Sequence, residues 1–108
     1  RLVRGLTLAL EGREEEARVL FEGMRGREDR EGLALTGLAY LRLRKGDRSG
    51  AEPLLRQALR LNPRNRLALL LRRLGREGAG TSRLDRAVEA LLQAAPALSD
   101  LPPGAAPP

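Results

Sequence analysis

The chain has no cysteine, no histidine and no tryptophan, and one residue each of Tyr, Phe and Met among 108. Without cysteine there are no disulfides and no thiolate metal sites; without histidine there are no imidazole ligands and no nucleophile–histidine pairs. Carboxylate chemistry is all that remains for catalysis. The acids, however, gather as Glu14–Glu15–Glu16 and as "EDRE" at 28–31, runs that read as a solvated helix start and a loop. The expectation is a chain with no catalytic residues, no metal and no cofactor. No apolar run approaches the roughly eighteen residues that would span a membrane, and no signal-peptide layout is visible. The sequence starts at Arg1 rather than Met, which reads as a processed form or a piece of something longer, and the compartment stays open with cytoplasmic as the default.

What the chain does have is leucine. Hydrophobic residues make up 42% and aromatics only 2%, the profile of a helical protein, since strands favour aromatic and β-branched side chains. The length suits one small domain with a single modest core. Net charge is +6 and unevenly placed: −1 over residues 1–31, +4 over 32–63 and +3 over 64–108. Nineteen of the twenty basic residues are arginine, which is the mark of a GC-rich, thermophile-like genome as much as of a functional patch. A basic second half still favours an acidic partner.

Periodicity organises the rest. Gly12 and Gly46 lie 34 residues apart, as do Ala17 and Ala51, Leu20 and Leu54, Phe21 and Leu55, and Met24 and Ala58. Ala87, Leu91 and Ala94 follow Ala51, Leu55 and Ala58 at a spacing of 36. In each copy apolar residues fall three, four and seven places after a small one, which lines one face of a helix. A period near 34 with a helix in each half marks helical-hairpin repeats. The spacing predicts six helices, at about 1–11, 14–24, 32–45, the segment 46–63 from near Ser49 onward, 65–76 and 83–95. Glu14, Glu15 and Glu16 suit the positive end of the second helix. Pro53 is expected in or beside the first turn of the fourth, where a missing amide costs little, and Ser49–Glu52 and Ser82–Asp85 have capping-box spacing. Pro63 separates one hairpin from the next. "GAGTS" at 78–82 reads as a flexible connector.

"TGLAYLRLRKGDRSGAEPLLRQALRLNPRN" (36–65) resembles a tetratricopeptide repeat (TPR). Gly37 and Tyr40 match the family's glycine and aromatic on its first helix, and Ala51, Leu55, Ala58 and Pro63 match the pattern of its second. The Gly37–Gly46 interval is two residues longer than the family pattern. The first copy fits through Gly5, Leu8, Gly12, Ala17 and Phe21 but lacks the terminal proline, and the third keeps only its second helix clearly. The resemblance spans roughly residues 2–95. It implies an all-α stack of about three hairpins in a right-handed solenoid, with copies near 1–29, 30–63 and 64–96, and a Pro/Ala-rich, disordered tail over 97–108.

The same resemblance implies a non-catalytic scaffold or adaptor that binds a protein or peptide, with the first helix of each hairpin lining a concave groove. The candidate partner-binding residues are Leu38, Leu41 and Arg42 on the third helix and Arg72, Arg73 and Arg76 on the fifth. Leucines would give apolar contact and arginines would pair with carboxylates. The plain alternative makes the leucines core and the arginines a solvated face. The family's lysine–asparagine clamp for chaperone C-termini is not recognisable, because Asn occurs only at 62 and 65. Glycine-rich "GREGAG" (75–80) lacks the lysine–hydroxyl ending of a phosphate loop. The rival function is a basic surface that associates with nucleic acid; scarce aromatics and the lack of a reading motif argue against it.

The ends of the repeat region raise a further question. The first helix is apolar almost all round, through Leu2, Val3, Leu6, Leu8, Ala9 and Leu10. The last presents a wide arc through Leu84, Val88, Leu91 and Leu92. Such arcs need neighbours on two sides. Either the chain belongs to a longer array, or it self-associates through these helices, or a compact fold hides them.

Overall fold

A computed structural model describes residues 1–94; the proline-rich segment beyond them, including the expected tail, lies outside the described residues. Six helices follow one another: α1 (Leu2–Leu10), α2 (Glu14–Met24), α3 (Glu31–Arg44), α4 (Arg48–Leu61), α5 (Arg66–Arg76) and α6 (Thr81–Ala94). No strand occurs among the described residues. The all-helical reading holds, and the first three helices and the fifth form within about a residue of their expected bounds. The radius of gyration, 12.9 Å, is that of a compact domain of this size.

Three hairpin turns share one geometry. At each, a glycine with positive φ follows the helix: Gly12 at 83°, Gly46 at 79° and Gly78 at 71°. Its amide bonds the carbonyl three residues back (Ala9, Leu43 and Gly75), and the next amide reaches back five residues (Leu8, Arg42 and Leu74). This is the Schellman closure, which satisfies carbonyls a helix end would otherwise leave unpaired. A side chain at the glycine would resist that φ. Gly78 therefore ends α5 instead of opening a flexible linker, and α6 begins at Thr81, two residues earlier than expected.

Both capping expectations are corrected. Asp47, not Ser49, caps α4: its Oδ1 accepts from the Gly50 amide at 2.9 Å, and Ser49 sits inside the helix. The carboxylate outcompetes the hydroxyl because a charged acceptor makes the stronger bond to the orphan amide. Pro53 consequently falls in the second turn, where it deprives the Ser49 carbonyl of a donor; both residues are exposed, so water can serve that oxygen. Ser82 likewise lies within α6 and not at its cap. Asn65, a residue with no assigned role in the sequence beyond marking a turn, caps α5. Its Oδ1 accepts from the Ala68 amide at 3.0 Å, and its Nδ2 donates to Thr36 Oγ1 at 2.9 Å, both in the interior.

The centre of the molecule is α3, which packs against each of the other five helices. Residues 34–41 are all buried, and Leu43 with them. A helix apolar on every side has to be enclosed. Two glycines make the enclosure tight. The ring of Phe21 on α2 is wedged against Gly5 of α1 and Gly37 of α3, and a Cβ at either position would come closer than 3.0 Å to it. The last helix closes the remaining side: α6 packs on α5, α3 and α1. Leu84 and Val88 are buried there, and Leu91 and Leu92 pack against the core. The apolar arc of α1 is thus covered chiefly by α2 and α3, and that of α6 by α5, α3 and α1, all within the chain.

Ionic and polar ties cross the same seam. Arg44, at the end of α3 with its side chain 10% exposed, donates to Glu14 Oε2 of α2 at 2.8 Å and to Asp85 Oδ1 of α6 at 2.6 Å. The Tyr40 hydroxyl donates to the same Asp85 oxygen. Thr81 Oγ1 donates to the Arg44 carbonyl at 3.2 Å. Burial, and then the bond to Asp85, push the Tyr40 phenol well above its ordinary range. For Arg44 burial acts to lower the pKa, but its bonds to Tyr40 and Glu14 and the Asp85 charge outweigh it and leave the guanidinium firmly protonated.

Two substitutions test this packing. Gly37→Ala must push the Phe21 ring from its slot, and we expect a loss of about 1–3 kcal/mol in denaturant unfolding, partly recovered by adding Phe21→Leu. Asn65→Ala leaves a buried amide without its acceptor, and the expected loss is about 2 kcal/mol by the same measurement.

Candidate functional site

A groove of about 600 Å³ runs over α3 between α2 and α4. Leu38, Leu41 and Leu54 form its floor, and its walls carry four acids and four bases. The walls are charge-balanced and largely paired. Arg18 holds Glu15, Arg42 holds Asp47 at 3.0 Å, and Arg25 at the α2 end holds Glu31 at 3.1 Å. Glu22 and Lys45 face the groove with no ion pair at contact distance. The Gly50 amide, and then Arg42, keep the Asp47 carboxyl below its usual 3.8. The Gly26 amide, and then Arg25, keep Glu31 below its usual 4.5.

Leu38, Leu41 and Arg42 are brought together here. They line the side of α3 between α2 and α4. α6 packs elsewhere, against α5, α3 and α1. Leu38 and Leu41 are also mostly core, 9% and 5% exposed, so they contribute edges to the floor and Leu54 contributes more.

Arg72, Arg73 and Arg76 are not part of this groove. They line a shallow hollow of about 380 Å³ on the outer face of α5, with Leu69 and Glu77. Glu52 of α4 stands 3.6 Å from Arg72 Nε and 3.7 Å from Arg76 Nη2, close enough for attraction but too far for a hydrogen bond. Arg72 Nε is shut from solvent without a hydrogen-bond acceptor. The six candidate residues therefore divide into two surfaces.

No family model, curated protein or solved structure matches the chain. The reading of these surfaces rests on their own chemistry. Among the described residues no group of three His, Cys, Asp or Glu side chains could hold a metal ion. No helix is long and apolar enough to cross a membrane. A third hollow, about 320 Å³, lies on the outer side of α1 and α2, where Val19 is 58% exposed beside Leu8 and Leu20.

Glu22, Lys45 and Leu54 escaped selection as groove residues. Glu22 and Lys45 carry no signal. For Leu54 one was present: it repeats Leu20 at the 34-residue period, and a second hydrophobic position beside the buried Leu55 marks a helix flank. Recognising it as a wall required knowing that α2 and α4 stand on the same side of α3.

The acid dependence follows from the depressed carboxyls, Asp47 and Glu31 together with Glu15, which the bond from Arg18 lowers. Each has a folded pKa below its unfolded value, so its stabilising contribution is complete above that unfolded value and is lost as pH falls through the folded one. The melting temperature should hold from neutral pH to about pH 5 and fall below about pH 4. Asp47→Ala should lower the neutral plateau and shrink that fall in thermal melts followed by circular dichroism.

Proposed function

We propose that this chain is a non-catalytic interaction module, a TPR-like stack of helical hairpins in a right-handed superhelix, that binds a partner peptide or helix as a scaffold or adaptor. The identical Schellman turns at Gly12, Gly46 and Gly78 and the paired glycines facing Phe21 support a repeated hairpin unit. The partner-binding surface is the α2–α4 groove. One observation carries this reading: an open channel with a leucine floor, bordered by charges that largely neutralise one another. Such a channel suits an amphipathic segment that lays apolar side chains along the floor and offers mixed charges to the walls. Its affinity would come from a few buried anchors, the charges setting register.

The test is selection from a randomised peptide library against the full chain, followed by titration of the enriched peptides. The groove reading expects apolar residues at helical spacing in the winners. It also expects Leu54→Glu and Lys45→Glu each to weaken them by about tenfold or more, with the helical signal unchanged. Enriched peptides indifferent to both substitutions would place the binding surface elsewhere.

A further inference from the structure

The strongest charge asymmetry of the molecule lies outside the groove. Residues 48–76, which are α4, the turn and α5, carry eight arginines and a single acid, Glu52. Among the described residues, Arg56, Arg60, Arg64, Arg66 and Arg73 form no ion pair, and all five are exposed. Glu52 is shared by Arg72 and Arg76 without hydrogen-bonding either. Most of the guanidinium N–H groups on this hairpin are therefore offered to solvent or to a ligand. On the outer face of α5, Leu69 is 47% exposed and lines one hollow with Arg72, Arg73 and Arg76.

From these we infer that the outer face of the α4–α5 hairpin docks an acidic protein segment carrying an apolar anchor, its carboxylates engaging the arginines and the anchor covering Leu69. Charge complementarity selects an anion, because desolvating or crowding so many like charges without counter-charge is unfavourable. The leucine selects a peptide over a nucleic acid. A phosphate backbone has no use for an exposed apolar side chain at the centre of its footprint, and stacking of bases needs exposed aromatics. Here Phe21 and Tyr40, the chain's two aromatic residues, are fully buried. The inference shares with the groove reading the premise that the chain binds partner segments, but it uses different residues.

The experiment is fluorescence anisotropy with the full chain and four probes. The first is a helical peptide of about sixteen residues rich in Asp and Glu with leucines on one face. Its Gln/Asn counterpart, its Leu→Ser counterpart and a DNA oligonucleotide complete the set. The acidic leucine peptide should bind most tightly, with affinity falling as salt rises. The paired change Arg66→Glu with Arg73→Glu should weaken it by about tenfold or more, and Leu69→Ser by roughly threefold or more. Leu54→Glu in the groove should leave it unchanged. Both altered arginines and Leu69 are exposed, so folding should persist, and circular dichroism verifies it. The inference is overturned if the neutral peptide binds as well as the acidic one, or if no probe binds at low salt. It is equally overturned if DNA outbinds the peptide while Leu69→Ser changes nothing, which would make the face a nucleic-acid surface. Should Leu54→Glu alone abolish peptide binding, the groove stands and the basic face falls.

Discussion

The enclosure of α3 is the constraint on which the rest of the structure depends. A fourteen-residue helix with an apolar or small side chain at nearly every position has no face to give to water, so five other helices have to surround it. That requirement accounts for the glycines at 5 and 37, which let the Phe21 ring fill the space among α1, α2 and α3. It accounts for α6 as well. Had α6 merely extended the stack beyond α5, the side of α3 bearing Tyr40 and Arg44 would stand open. Instead α6 lies against α1 and α3, and the chain closes on itself.

Closure of that kind needs direction as well as hydrophobicity. Leu84 and Val88 supply area, but apolar contact alone tolerates sliding and rotation of a helix. The joint hold of Tyr40 and Arg44 on Asp85, with Glu14 on the far side of the guanidinium, fixes both axial position and rotation. Partly buried charges of this kind contribute little net stability when they are compared with a well-packed apolar substitute. Their value lies in specifying one arrangement. The Asn65–Thr36 bond plays the corresponding part between α5 and α3.

With one face of α3 closed by α6, binding capacity moves to what remains outside. The two outward surfaces differ in electrostatic character. The α2–α4 groove carries equal numbers of acids and bases, most of them in ion pairs, so it offers shape and a leucine floor and little net field. Across α4 and α5, five exposed arginines form no ion pair among the described residues, so this surface offers mostly field, with Leu69 as an apolar point. On the proposed reading, such a chain would recognise different chemistry on two sides. Neither surface contains a nucleophile beside a base.

Much of this was written in the linear chain. The absence of cysteine and histidine, the leucine excess and the 34-residue period established a helical molecule and placed its helices. Positive-φ turns were legible because glycine at 12 and 46 is the residue such a turn requires. Capping was less legible, because Asp47, Ser49 and Ser82 all have capping side chains and only the local geometry decides which amide each can reach. The sequence also marked Leu38, Leu41 and the arginines of α5 as candidates, since helical spacing groups them. Which groups face each other is another matter. Side-chain direction along one helix is periodic and local, whereas the path of α6 across α1 and α3 depends on contacts between residues forty or more positions apart. Only the tertiary structure decided that Asp85 meets Tyr40 and Arg44, that α6 lies against α1 and α3, and that the six candidate residues belong to two surfaces.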